Sequence, residues 1–483
     1  MKLNQLVKNK IVIYLLTRYG TYALQFLVSM VIAVKLGPYY LGIYGFLILI
    51  LNYFSQINLG IPHSLNVLMV HNKNDEKICN NYIGNSFAIY GLVSILIICV
   101  LFLILLFKIT LSDKYPLSVF HYVLLCFIAI LQYYSTLCST ILRVKNKVNQ
   151  LAFAQSSLVL LNLSVVFFFS GDLLIYMLMV CQMLSFGIFI IITWKEKLFP
   201  NLKSIEYNFY YKKKIIKKGL YLFLYNSCFY FILISIRTII SNNYSVEEFG
   251  IFNFSFTISH AVLLLIEALT IILFPKIIDL LSSDNYEKIN LTIENVRVSF
   301  VSTSHLLIYI AMLFFPIITV LIPEFEGALT SINLIALAIL VNTNSYGFSS
   351  FLIAQNKEKI AAFISFVALV INIVMAEILV VIFKVDFSYV IISVALAYLC
   401  FSALTVVVSK KIMGMFMFKN IINTIFPIKL FVPYIVALIL SILEFHSLIF
   451  VSLFLYIFLN ISDLKKILLF GKTIIRNPNI TDL

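Results

Sequence analysis

A guanidinium carried into hydrocarbon needs a cavity, a partner or an escape to the interface, because the bare charge is costly there. Two arginines of this chain, Arg18 and Arg237, lie well inside apolar runs. Arg18 heads a series with Tyr22, Gln25 and Ser29, spaced 4, 3 and 4 residues apart, which places all four on one side of a helix. Arg237 closes a second series, Asn226, Tyr230, Leu233 and Arg237, with the same spacing. A third stripe, Asn253, Thr257, His260 and Glu267, is spaced 4, 3 and 7. A guanidinium fork binds phosphate or carboxylate oxygens two at a time, and an intramembrane carboxylate marks an ion or proton path. These residues suggest an anion-binding face made from Arg18, Tyr22, Gln25, Asn226, Tyr230 and Arg237. Glu267 and His260 are the candidates for ion coupling, although a mid-span histidine also suits a plain hydrogen bond to a neighbouring helix.

The elements that must hold these faces follow from composition. The chain has 483 residues, 62% hydrophobic and 12% charged, with a mean hydropathy of +1.04, where an average soluble domain carries roughly 25% charged residues. Apolar runs long enough to cross a hydrocarbon core follow one another along the whole length, without the period-two alternation of barrel strands. The expectation is an all-α polytopic membrane protein of about fourteen spans, including 43–70 and 328–354. The first apolar run is too long for a signal peptide and is expected to stay as the first span. Of the 35 basic residues, 28 fall in alternate loops that include both ends and 4 in the opposite loops. By the positive-inside rule both termini are expected in the cytoplasm. That topology absorbs the formal net charge of +14, so no nucleic-acid partner is expected.

The chain also echoes itself. Leu36-Gly37-Pro38 through Gly42-Ile43-Tyr44 and Phe46 returns around Ser245-Val246-Glu247-Glu248-Phe249-Gly250-Ile251-Phe252 and Phe254, at an offset of 208. Independently, Ile141 to Lys147 with Phe153 and Asn162 returns as Phe351 to Lys357 with Phe363 and Asn372, at an offset of 210. Two echoes with nearly one spacing indicate a duplicated chain. The arginine series obeys the offset of 208 at every corresponding pair, so equivalent faces of equivalent helices are expected to meet across a central cavity. The resulting division is an N-terminal lobe of six spans over 1–194, a basic linker at 195–218, a second six-span lobe over 219–410, and two appended spans with a tail over 411–483. Eight lysines lie between Lys195 and Lys218, read as topogenic charge near anionic headgroups.

Several chemistries lack their parts. Gly471-Lys472-Thr473 resembles the end of a phosphate-binding loop, but Lys466 stands where its first glycine belongs. No metal-binding or nucleophile-elbow spacing occurs. Six of the seven cysteines sit singly in apolar runs, where a thiol packs as a small core residue. No cofactor, metal or ATP dependence is expected, and the short outer loops argue against an enzyme.

With these features the chain resembles the bacterial polysaccharide-transport family, the O-antigen flippases of the MATE-like (MOP) exporter superfamily. Leu36-Gly37-Pro38 through Tyr44 resembles that family's N-terminal signature, Ser245 through Phe252 its second-half counterpart, and Ala354-Gln355-Asn356-Lys357 the turn before its eleventh helix. The resemblance covers about residues 10 to 410. It implies two pseudo-symmetric lobes in a V-shaped bundle of the bacterial inner membrane, moving a lipid-linked, undecaprenyl-pyrophosphate oligosaccharide by alternating access for O-antigen or capsular polysaccharide synthesis. It further implies membrane lipids, a polymerase and glycosyltransferases as partners. Arg18 matches a first-helix arginine of that family, whereas many members carry an aspartate near Arg237. The alternative is an ion-coupled drug or cation antiporter on the same scaffold, which would want acidic cavity residues. The topology is checked by reporter fusions after Lys212 and after Glu248, expected on opposite sides of the membrane; finding both on one side would overturn it.

Overall fold

The computed structural model describes residues 10–467 apart from 73, 108–111 and 284, and does not describe the side chains of 10–18, 148, 202, 222, 263–276, 278, 279 and 418–420. Helices follow one another without a strand among the described residues. They are α1 (Lys10–Gln56), α2 (Ile61–His71), α3 (Glu76–Leu106), α4 (Val119–Val144), α5 (Val148–Val166), α6 (Gly171–Lys195), α7 (Phe209–Asn243) and α8 (Val246–Leu281). There follow α9 (Tyr286–Leu321), α10 (Ala328–Thr343), α11 (Phe348–Ala354), α12 (Glu358–Glu377), α13 (Ile392–Ile412), α14 (Phe418–Ile425), α15 (Ile428–Ile442) and α16 (Phe450–Leu459). Among the described residues nine helices are long and apolar enough to cross a membrane, or up to eleven when each of two bent pairs counts as one span. The fourteen apolar segments map onto these elements because α1 carries two of them, and α8 and the shorter α15 carry one each.

The first echo is a helix junction in both copies. At Gly37 the backbone takes φ 64° inside α1, a conformation glycine adopts freely, and Pro38 starts the next helical run with its φ already set. The second copy ends α7 and starts α8 with a capping box. The Ser245 backbone N–H donates to Glu248 Oε2 at 2.7 Å and the Glu248 N–H to Ser245 Oγ at 3.1 Å. The second echo is sharper. Asn146 and Asn356 both have left-handed φ, 57° and 54°. Lys147 N–H reaches back to Leu142 O at 2.9 Å, as Lys357 N–H does to Leu352 O at 2.8 Å. Equivalent sequence thus folds into one turn twice.

Two predicted spans are broken rather than continuous. The segment 43–70 stops at Gln56, passes Leu59 and Gly60 with positive φ, and resumes as α2. The segment 328–354 bends by 48° between α10 and α11, where Gly347 has φ 89°. Their repeat counterparts, Ala268 and Leu137, are not glycines, and there α8 and α4 run straight through. Each lobe therefore breaks a different helix, at the glycine its twin lacks.

Packing divides the chain into the compact units Val7–Ser227 and Cys228–Leu483, with the boundary inside α7. In the first lobe α6 lies along α4 and α5, and α5 along α1. The beginning of α7 belongs here: a Cβ on Gly219 would stand 2.9 Å from Gly60 O and 2.1 Å from Ser64 Oγ, so only glycine permits this helix approach. In the second lobe α10 is buried nearly all round and is flanked by α8, α9 and α13. Asn372 fastens this lobe internally, its amide donating to Ile232 O at 2.8 Å and Ser235 Oγ at 2.9 Å and accepting from Ser393 Oγ at 3.0 Å. Its twin Asn162 has a buried amide oxygen with no hydrogen-bond partner among the described residues. The appended α15 and α16 pack on each other and on α10 and α9. Tyr456 of α16 donates to Ser302 O at 2.6 Å and stacks on the buried His305.

Gly219→Ala is expected to lower stability by about 1–3 kcal/mol, because backbone must shift to admit the methyl. Gly20, with nothing within 4 Å of an added Cβ, is the control. Thermal midpoints of the two purified variants check this, and equal midpoints would refute the tight approach.

Candidate functional site

The second-lobe arginine is held by the turn that joins its helix to the next. Arg237 leaves α7 two turns before its end and Asn253 rises from α8 two turns after its start, so the hairpin brings a residue pair 16 apart face to face. Nε and Nη2 of Arg237 both donate to Asn253 Oδ1, at 3.1 and 2.7 Å, and the Asn253 amide donates in turn to Phe249 O at 2.7 Å. The guanidinium lies 5.5 Å from the Phe256 ring, within cation–π range. Phe256 stacks on His260 at 5.5 Å and 18°. The Nδ1 of His260 is buried and has no hydrogen-bond partner among the described residues.

The structure places Arg237 inside its own lobe. Its side chain is 7% exposed, and two of its guanidinium nitrogens bond to Asn253 of the same lobe. Sharing a repeat position also does not confer a shared environment. Tyr22 is buried while its twin Tyr230 is 38% exposed, and Gln25 and Asn226 are exposed. The side chains of Arg18 and Glu267 lie outside the described residues. At the end of α1, Gln56 accepts from Ser227 Oγ of α7 at 3.1 Å.

A site the sequence reading passed over lies in the first lobe. A cavity of about 390 Å³ opens among α2, α4 and α6, within the size range of small-ligand pockets. On α4 it is lined by Ser135, Thr136, Ser139, Thr140 and Arg143, and on α2 by His63 and Asn66. The hydroxyls of Ser135, Thr136 and Thr140 donate to their own helix, to Gln132 O, Tyr133 O and Thr136 O at 2.8, 2.7 and 3.0 Å, which leaves oxygen lone pairs for a ligand's O–H groups. No carboxylate lines the cavity, and none pairs with Arg143 among the described residues. The signal was present as hydroxyl residues at 135, 136, 139 and 140 followed by Arg143, one continuous helix face. It was missed because Arg143 is among the 28 basic residues that the charge count assigns to loops. At the nearby helix ends, Glu196 is held by Lys147 Nζ at 2.6 Å and Gln150 Nε2 at 3.0 Å. The lysine bond first and the amide second favour its charged form and keep its carboxyl below the usual range, so this clasp loosens only as acid protonates it.

No family model matches the chain, and no curated protein matches it in sequence. Solved structures do match in shape. An inward-facing multidrug resistance MATE family transporter of the MOP superfamily superposes with a TM-score of 0.64 at 11% identity, over 83% of this chain and 98% of its own. The fold is that of the MATE transporters. An outward-facing multidrug resistance MATE transporter gives 0.61 at 13% identity, over 86% and 98%. A MOP superfamily transporter from Pyrococcus furiosus, described by the reverse polarity of its binding pocket, gives 0.60 at 14% over the same shares. The MATE fold confirms the all-α, two-lobed expectation.

Asn253→Ala removes the acceptor of a buried charged donor and is expected to cost roughly 1.5–3 kcal/mol. The double variant R237M/N253L should recover most of that loss, since an apolar pair leaves no charge to satisfy. Unfolding midpoints of the three proteins check this; a double variant no better than N253A would show that the pair is not a closed unit.

Proposed function

We propose that this chain is a transporter that carries an anionic, hydroxyl-rich head attached to a lipid, a lipid-linked oligosaccharide pyrophosphate, from one leaflet of a bacterial inner membrane to the other by alternating access. The observation that carries this reading is the first-lobe cavity, which offers Arg143, an imidazole, an amide and four hydroxyl groups and no carboxylate. Sugars are recognised by hydroxyls and amides, and phosphates by guanidinium forks. Arg237, with Asn253 as a neutral acceptor of two of its bonds, is a further cation of the second lobe in this reading. Arg18, at the cavity-facing position the family resemblance implies, is the second cation offered to the pyrophosphate, with Tyr22, Gln25, Asn226 and Tyr230 as neighbouring polar contacts. Both termini lie in the cytoplasm in this reading, and polymerase and glycosyltransferases of the same pathway consume and supply the lipid.

The second reading is cation-coupled drug export, favoured by the multidrug transporters that share the fold and dependent on Glu267. The P. furiosus relative with reversed pocket polarity is described as suggesting a different function, and the cationic lining here leans the same way.

The test uses proteoliposomes containing a fluorescent short-chain polyprenyl-pyrophosphate glycan, read by its exposure to a membrane-impermeant glycosidase. Arg143→Ala and Arg18→Ala should each slow translocation about tenfold, the worth of one charge-assisted bond. Arg18→Lys should retain part of the rate, since it keeps the charge and loses the fork. Full translocation by both alanine variants at normal protein level would overturn the reading. Loss of ethidium efflux in Glu267→Gln, with no glycan movement in any form, would establish the drug exporter instead.

A further inference from the structure

The segment from Lys195 to Lys218 is fastened to the first lobe by buried polar bonds. The Asn85 amide donates to Glu206 O at 2.9 Å, Glu206 N–H donates to Asn81 Oδ1 at 3.0 Å, and the Asn81 amide donates to Tyr211 OH at 3.2 Å. Ile205 closes on Gly84 so tightly that an added Cβ there would meet it at 2.6 Å. This fixed segment forms one wall of a groove of about 580 Å³. Phe87 and Ala88 of α3, Tyr134 of α4 and Trp194 of α6 line it together with Phe199 and Tyr207 of the segment.

Position and charge say what the groove receives. It lies where spans end, at the last turn of α6 and the early turns of α3, and Trp194 stands 69% exposed there; tryptophan and tyrosine favour that depth in a bilayer. The segment carries eight lysines against two glutamates. Both glutamates are taken by lysines elsewhere, Glu196 by Lys147 and Glu206 by Lys77. Lys195, Lys197 and Lys203 are exposed and alternate in sequence with the groove residues Trp194, Phe199, Pro200 and Ile205. We infer that this groove binds one acyl chain of an anionic phospholipid, with Lys195, Lys197 and Lys203 holding its phosphate. An apolar slot whose wall segment carries exposed lysines next in sequence to the lining residues suits both parts of such a lipid.

Trp194 is the chain's one tryptophan and is therefore a built-in reporter. The full chain is reconstituted in liposomes with brominated-chain phosphatidylglycerol or, at equal mole fraction, brominated-chain phosphatidylcholine. Trp194 quenching by the anionic lipid should exceed that by the zwitterionic lipid about twofold or more. The variant K195Q/K197Q/K203Q should remove the difference while leaving quenching by phosphatidylcholine unchanged. Ala88→Phe, which adds a ring to the groove lining, should lower quenching by phosphatidylglycerol. Equal quenching by the two lipids in the unaltered chain would mean annular lipid only, and a preference that survives the triple substitution would remove the lysines; either result overturns the inference. Because the readout is lipid selectivity and not transport, it stands or falls separately from the flippase reading.

Discussion

Hydrocarbon offers no water to a free backbone N–H or C=O, so the chain stays helical and interrupts its helices only where the freed groups find protein partners. The break before α2 obeys this constraint locally. Asn58 donates to Ser55 O and accepts from Gly60 N–H, at 2.6 and 2.8 Å, so one side chain replaces two lost ladder bonds. The same economy recurs at Asn372, whose amide reaches the backbone of α7 and a hydroxyl of α13. Polar side chains inside the lobes are thus first of all repairs to the backbone ladder and interhelical fasteners, and a binding role has to be argued for those left over.

Much of the architecture was legible because it is written in local signals. Long apolar runs fix helices, and the echoed Asn-Lys turns fix a duplication that the matched left-handed residues Asn146 and Asn356 bear out. The broken spans were not legible, since a single glycine within an apolar run reads as tolerated until a neighbouring helix or a positive φ demands it. Gly60 and Gly347 acquire meaning only through α7 and α9, which approach them from elsewhere in the chain. The same limit governs the candidate site. Periodicity put Arg237 on a face, but its acceptor Asn253 lies beyond a turn, and helix-face arithmetic cannot see across one. The cavity at Arg143 is assembled from α2, α4 and α6; the hydroxyl face of α4 is visible in its spacing, but the walls supplied by the other two helices are not.

The first-lobe cavity carries one guanidinium, four hydroxyls and no carboxylate among its lining residues. The fold supplies paired lobes and broken helices; polarity is set by a few side chains that the scaffold does not dictate. Arg237 illustrates the cost of that choice. Its burial is tolerable because Asn253 accepts two of its N–H bonds and the Phe256 ring lies within cation–π range.

The contrast between Asn372 and Asn162 has a mechanical consequence. One copy of the duplicated asparagine ties three helices together, and the other leaves an amide oxygen unmet in α5. Drawn out of a bilayer by a cantilever, the chain would yield α5 at lower force than α12, although the two descend from one ancestral segment. The difference lies at one residue pair: α12 is tied there to α7 and α13, while the Asn162 amide oxygen of α5 has no partner among the described residues.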